Sequence, residues 1–153
     1  MIDMSIFNGF NTTASALTAQ RLRMDVISAN MTNVDTTRAN YVNGEWQPYQ
    51  RKMVVMKPEE GKFQSYLHKA MGKTPQPGEG VSVTRIIGDQ SPYKMLYDPE
   101  HPDANEQGYV AYPNVDPLRE MVDLMGATRS YEANVTTLNA TKNILMKALE
   151  IGK

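Results

Sequence analysis

The sequence predicts an α+β protein, with long N- and C-terminal helices paired as a coiled-coil-like domain and a small β-rich middle domain. Three observations predict it. All nine prolines lie between Pro48 and Pro117, and proline is excluded from helix interiors because it lacks an N–H and clashes with the preceding turn. Outside that span apolar residues recur every three or four positions, the period of one helix face. Inside it, short runs of branched residues are bounded by turn formers, as strands are. The expected organisation is residues 1–35 as an N-terminal helix, 36–113 as a β-rich middle domain with loops, and 114–153 as a C-terminal helix.

The first helix is read from Ile6, Phe10, Ala14, Leu17, Met24, Ile27, Met31 and Val34, with Arg21 interrupting the stripe. Phe10, Leu17, Met24 and Met31 are spaced by seven, a heptad-like seam. Asn30 and Asn33 lead into Asp35-Thr36-Thr37. Asparagine tolerates the left-handed conformation that ends helices, so the helix is expected to stop near residues 30–34.

The middle holds its clearest strand at 81–87, where Val81-Ser82-Val83-Thr84-Arg85-Ile86-Ile87 partly alternates and is rich in branched residues. Weaker strand candidates lie at 49–56, 62–67 and 108–112. Pro75 to Gly80 reads as a loop, and 98–107 as a polar surface loop.

The last helix has a strong start signal in Asn114-Val115-Asp116-Pro117, because aspartate is a good N-cap and proline suits the first helical position. Its stripe runs Leu118, Met121, Met125, Thr128, Tyr131, Val135, Leu138, Lys142, Leu145, Leu149, every step three or four. Leu124, Tyr131, Leu138 and Leu145 form a seven-spaced series on the same helix. Gly126 is the one glycine inside the stripe, and Gly152 stands where a C-terminal glycine belongs. At ~1.5 Å per residue the helix is about 50 Å long.

Bulk properties exclude several function classes. The net charge of −1, from 16 basic and 17 acidic residues, sets up no overall field toward nucleic acid or anionic membrane. There is no cysteine, so a disulfide framework, a thiolate nucleophile and a cysteine zinc site are absent. No apolar run approaches the roughly 20 residues that span a bilayer. The N-terminal residues have neither a basic n-region nor an apolar h-region, so export, if it occurs, is expected to use a route without a Sec-type signal.

Motifs that could carry chemistry have plainer readings. His101-Pro102-Asp103 copies the tripeptide of J-domain cochaperones, but it lies among prolines and turn residues. Asp103, Asn105, Gln107 and Gly108 fit the opening of an EF-hand loop, yet position twelve is Asn114, which cannot supply a bidentate carboxylate. A turn before a strand is the simpler reading, with Asp103 bonding backbone N–H groups two residues on. His68 and His101 are not at ligand spacing and pair with no serine nucleophile. Asp89, Asp98, Glu100, Asp103 and Glu106 read as a solvated loop. No G-x-G-x-x-G or P-loop pattern occurs, and the sequons at Asn11 and Asn134 fall in helices. No catalytic residue, metal or cofactor is expected. The methionines Met24, Met31, Met121 and Met125 sit on the stripes, where an adaptable side chain packs well.

Two long amphipathic ends around a small β region carry more apolar stripe than one partner helix covers, and both terminal helices read as made for burial against other chains.

The stretch from Ser15 to Asn33 resembles the N-terminal signature of the flagellar basal-body rod and hook family, in which a small-residue helix ends in Asn-x-x-Asn followed by threonines. Here these are Asn30, Asn33, Thr36 and Thr37. Tyr131-Glu132-Ala133-Asn134 is similar to the family's second signature. Tyr97 to Ala104, Gly108-Tyr109-Val110, Tyr112 to Val115 and the ending Ala148 to Gly152 resemble a proximal-rod member. The resemblance implies terminal helices facing the rod axis with the β region outside. It implies a mechanical role as a torque-transmitting, hollow drive shaft, and export through the flagellar type III system without a cleaved signal. The implied site is the basal body, across the periplasm. Partners would be other copies of the chain, other rod proteins, the base and rings, and the export apparatus, with no nucleic acid. The implied assembly interface is Phe10, Leu17, Met24, Ile27, Met31, Leu118, Met121, Met125, Tyr131, Val135, Leu138, Leu145 and Leu149. The alternatives are a subunit of another type III or phage-tail tube, and a metal-dependent enzyme using the acidic loop.

Overall fold

The computed structural model of the chain describes residues 3–42, 44–59, 70–71 and 80–151. The element order is α1 (Asp3–Thr32), β1 (Asn40–Val42), β2 (Glu45–Gln47), β3 (Lys52–Pro58), β4 (Val81–Gly88), β5 (Lys94–Tyr97), β6 (Tyr109–Tyr112) and α2 (Pro117–Ile151). The protein is α+β, with long helices at both ends and small sheets between. Among the described residues the strands form three two-stranded ribbons, β1–β2, β3–β4 and β5–β6. No helix there is long and apolar enough to cross a membrane.

The helix boundaries follow local chemistry. Asp116 caps α2: its Oδ1 accepts from the Leu118 N–H at 3.1 Å, and its carbonyl accepts from the Glu120 N–H at 2.9 Å. Such a cap satisfies N–H groups that a first turn otherwise leaves unpaired. At the end of α1, the Asn33 side-chain amide donates to the Ala29 carbonyl at 2.8 Å and its backbone N–H to the same carbonyl at 3.2 Å. Asn33 thus closes the helix with its side chain.

The strand expected at 81–87 is β4 and that at 108–112 is β6. The one expected at 49–56 begins later, at Lys52, because Pro48 and Tyr49 are buried in irregular chain. The candidate at 62–67, the loop at 75–79 and Gly152 lie outside the described residues. Three strands were not expected: β1, β2 and β5. β1 and β2 pair antiparallel with Val42 opposite Glu45, and Gly44 in the turn has φ +90°. The Asn43-Gly44 dipeptide is the sequence signal for such a turn.

The chain divides into two compact units. One comprises residues 1–22, 55–85 and 127–153. Among the described residues its buried side chains are small, Thr13, Ala19 and Ala127. Here Ser15 Oγ accepts from the Val81 N–H at 3.0 Å, and the Glu59 N–H donates to the Gly80 carbonyl at 2.6 Å. Hydroxyls of Thr13, Thr136, Thr137 and Thr141 bond the carbonyl one turn back, which lets them sit inside helices.

The other unit comprises residues 23–54 and 86–126. Val26, Ile27, Tyr49, Val110, Pro113 and Val115 are buried in it, with Asn30 and Glu120. β5 and β6 pair antiparallel with Tyr97 opposite Tyr109, whose rings meet edge-on at 5.3 Å. The 98–107 loop is knitted by backbone bonds from His101 to Asp98, Ala104 to His101 and Gly108 to Asn105. Gly108 closes it at φ +80°, with the space a Cβ would need only 2.9 Å from the Tyr97 ring.

Replacing Gly108 by alanine forces a side chain into that left-handed conformation and against Tyr97. The expected loss of stability is more than about 1 kcal/mol. A urea unfolding midpoint unchanged from the parent protein would contradict this account of the loop.

Candidate functional site

The most densely bonded place in the described chain is a buried polar cluster that joins α1, β3 and α2. Asn30, on the last turn of α1, is 1% exposed. Its Nδ2 donates to the Lys52 carbonyl at 2.9 Å and to Glu120 Oε2 at 3.0 Å. Its Oδ1 accepts from the Tyr49 hydroxyl at 3.0 Å and from the Lys52 N–H at 2.9 Å. Both donors and both lone pairs of the amide are therefore used.

Glu120, in the first turns of α2, is 0% exposed. A buried carboxylate is costly unless it is paired and hydrogen-bonded. Arg51 supplies the charge: its Nε lies 2.6 Å from Glu120 Oε1. The guanidinium also faces Asp89 Oδ2 at 3.5 Å and Asp123 Oδ2 at 3.7 Å. Burial works to lower the Arg51 pKa, but the bond to Glu120 and the charges of Glu120, Asp89 and Asp123 outweigh it, and the net direction is upward. Burial also raises the Tyr49 pKa, helped by the Glu120 charge, so its hydroxyl stays a donor.

Asn114 ties in the next layer. Its Oδ1 accepts from the Arg51 N–H at 2.9 Å, and its Nδ2 donates to the carbonyls of Asp89 and Ser91, each at 3.1 Å. The Asp89 carboxylate accepts from the Ser91 hydroxyl and N–H, which lower its pKa, with Arg51 adding to the effect. Arg23 of α1 reaches Asp123 of α2 at 3.6 Å. The arrangement holds three elements in one register.

Of the residues singled out in the sequence, Asn30 lies at the centre of this cluster. Asn33 and Thr36 lie just beyond it, with the Thr36 hydroxyl donating to Asn33 Oδ1 at 3.2 Å. Ile27 is buried, and Leu17, Met24 and Met31 are half-buried. On α2, Tyr131, Val135, Leu138 and Leu145 are half-buried, whereas Leu118, Met121, Met125 and Leu149 are exposed, as is Phe10 on α1. Glu132 and Ala133 are exposed, and the Asn134 amide donates to the Ser130 carbonyl at 2.8 Å. Glu120, Arg51 and Tyr49 escaped sequence reasoning as site residues, and Asn114 reads in the sequence only as part of the approach to α2. Glu120 reads as an ordinary acidic residue in a first helical turn, favoured there by the helix dipole.

The acidic loop has a different wiring from the one expected. Asp103 does not shape its own turn. Its carboxylate accepts from the Thr37 hydroxyl at 2.7 Å and from Arg38 Nε at 2.6 Å, and these bonds lower its pKa. Asn105 makes the turn, its Oδ1 accepting from the N–H groups of Gln107 and Tyr109. His101 Nδ1 accepts from the Asp103 N–H at 3.1 Å. Among the described residues no group of three or more His, Asp or Glu side chains is placed to hold a metal ion.

Comparison with known proteins gives a consistent result. The family described as flagella basal body rod protein matches residues 10–39, and the one described as flagellar basal body rod FlgEFG protein C-terminal matches residues 106–151. The flagellar basal-body rod protein FlgC of Bacillus subtilis (strain 168) is 59% identical over 150 residues, covering 98% of this chain and 100% of that protein. FlgC of Borreliella burgdorferi is 40% identical over 97% of this chain and 98% of its own length. FlgC of Salmonella typhimurium (strain LT2) is 37% identical over 98% of this chain and 100% of its own length.

Replacing Glu120 by alanine leaves Arg51 partly buried without its main partner and Asn30 with an unused donor. The expected cost is about 3–5 kcal/mol; a loss below 1 kcal/mol in denaturant unfolding would show the cluster to be passive. Acid should act at its edge and at the loop. Asp89 and Asp103 have lowered folded-state pKa values, so their stabilisation is complete above the ordinary carboxylate value of about 3.9 and is lost as pH falls below it. Thermal melts of Asp103→Asn should therefore show a shallower decline than the parent protein below about pH 4. Parallel declines would remove Asp103 from the account.

Proposed function

The chain belongs to the flagellar basal-body rod proteins of the FlgC type, structural subunits of the rod, and from that premise we propose how it assembles and works. The terminal helices, residues 1–35 and 114–153, form the axial helical domain, and the β-rich residues 36–113 lie outside it. Copies interlock through the helices around a central channel. The resulting hollow shaft transmits torque across the periplasm and lets later subunits pass. The chain reaches that position through the flagellar type III export apparatus, without a cleaved signal. It contacts other copies of itself, other rod proteins, and the base and ring proteins, and it catalyses no reaction.

The observation that carries this reading is the apolar surface left open on both helices. Leu118 is 74% exposed and Leu149 72%, and Phe7, Met121, Val122, Met125, Ile144 and Met146 are exposed with them. Single exposed apolar residues are ordinary, but a cluster at helical spacing, here Leu118, Met121, Val122 and Met125, marks an interaction face. The buried Asn30–Glu120 contact supports it from the other side. It ties α1 to α2 by polar groups, which leaves these apolar side chains free for neighbours. A subunit under torque needs helices that do not slide on one another, and a fully bonded polar cluster resists sliding because every displacement breaks several hydrogen bonds.

Leu149→Asp tests the reading. The side chain is exposed, so the thermal melt of the free chain should move little, by less than about 0.5 kcal/mol in stability. A carboxylate desolvated in an assembled interface is costly, however. Cells whose only copy carries this change should lack complete rods and should not swim. Normal swimming would sink the proposal that this helix packs in the assembly.

A further inference from the structure

We propose that His101 is a proton-operated clasp. Neutral, it holds the 98–107 loop on the chain segment that follows α1; protonated, it draws the Asp103 carboxylate away from that segment.

His101-Pro102-Asp103 lies in the loop between β5 and β6. His101 Nδ1 accepts from the Asp103 N–H at 3.1 Å. A ring nitrogen accepts only when it carries no proton, so this bond belongs to the neutral imidazole with its proton on Nε2. Asp103 also reaches outward. Its Oδ2 accepts from the Thr37 hydroxyl at 2.7 Å, and its Oδ1 from Arg38 Nε at 2.6 Å. Asp103 thus joins two segments, with its N–H on the loop's own histidine and its carboxylate on residues 37 and 38. The backbone on either side is held, because the His101 N–H donates to the Asp98 carbonyl and the Ala104 N–H to the His101 carbonyl. Pro99 and Pro102 fix their own φ angles and stiffen the loop further. All these residues belong to the unit of residues 23–54 and 86–126.

A proton on Nδ1 turns the acceptor into a donor that faces another donor, and the bond to the Asp103 N–H is lost. The acceptor within reach is Asp103 Oδ2, 4.0 Å from Nδ1. That oxygen is the one held by Thr37, so the new ion pair forms at the expense of the Thr37 bond. The charged and titratable groups around the ring favour the exchange on balance. Asp103 attracts the imidazolium, and its bonds to Arg38 and Thr37 lower its pKa, so it is ionised wherever an imidazole titrates. Asp98 and Glu100 precede the ring in its own loop. Arg38 opposes the exchange as a competing cation on the same carboxylate. Tyr112 of β6 faces the ring with centroids 6.2 Å apart and adds no charge at neutral pH. The His101 side chain is 24% exposed, so solvent protons reach it. Thr37 and Asp103 both line a shallow pocket beside Trp46 and Pro48, and opening the clasp changes the shape of that pocket.

NMR titration of the full-length chain tests the clasp. His68 is the only other histidine, so the His101 ring signal is identified by its loss in His101→Asn. Between about pH 8 and about pH 5 the Asp103 and Thr37 amide signals should move together with that ring signal. Hydrogen-exchange protection of the Asp103 amide should fall about tenfold over the same range, the effect of losing one bond. In His101→Asn a side-chain oxygen that carries no titrating proton can accept from the N–H two residues on. The Asp103 amide should then stay protected at both pH values. In Asp103→Asn the amide at position 103 should still follow the ring, while the Thr37 signal no longer does. An Asp103 amide that keeps its protection while the His101 ring titrates would overturn the proposal. So would a Thr37 response that persists in His101→Asn.

Discussion

Asn30 and Glu120 meet out of reach of water, and the unit of residues 23–54 and 86–126 is organised by that meeting. The constraint is electrostatic. A carboxylate with no solvent must be compensated by the protein, and Glu120 obtains this from Arg51 at 2.6 Å and from Asn30 at 3.0 Å. The compensation comes from Arg51, just before β3, and from α1, so neither can shift along α2 without uncovering a charge. Low local dielectric strengthens each bond and raises the penalty for losing one. The cluster therefore acts mainly on register. Asn114 extends the same constraint to the turn after β4, through its bonds to Asp89, Ser91 and Arg51.

Apolar side chains are distributed by a complementary logic. Among the described residues the most deeply buried are small or branched, such as Ala19, Val110, Val115 and Ala127. Many larger ones lie at the surface of the terminal helices. Within α2, Glu120 and Ala127 are buried seven residues apart, while Leu118, Met121, Val122 and Met125 remain open. One helix thus carries two faces with different work, an inner face held by polar and small groups and an outer apolar face. On the proposed assembly, neighbouring subunits cover that outer face.

Much of this was legible in the sequence. Proline distribution and the three-to-four spacing located both helices, and Asp116-Pro117 marked the start of α2 to the residue. Asn33 marked the end of α1. Branched residues disclosed β4, and the loop at 98–107 was clear from its turn formers. β1 and β2 are three-residue strands, too short for alternation to register, and only Asn43-Gly44 hinted at their turn. β5 is the run Lys94-Met95-Leu96-Tyr97, all exposed, whose strand character depends on pairing with β6. The sequence motif drew attention to Asn30 as a helix ender, yet its side chain serves a different end, binding Glu120 90 residues away.

Local pattern by itself determined the fold class, the helix ends and the family, because caps, breakers and periodicity act over a few residues and are written in their order. It also determined that two apolar stripes exist. Only the tertiary structure decided which stripe residues are covered, because burial depends on what another segment brings to them. It alone joined Asn30, Tyr49, Arg51, Asn114 and Glu120. Hydrogen bonds across such separations leave no periodic trace, since a buried glutamate and a solvated one are the same letter until the chain has folded around it.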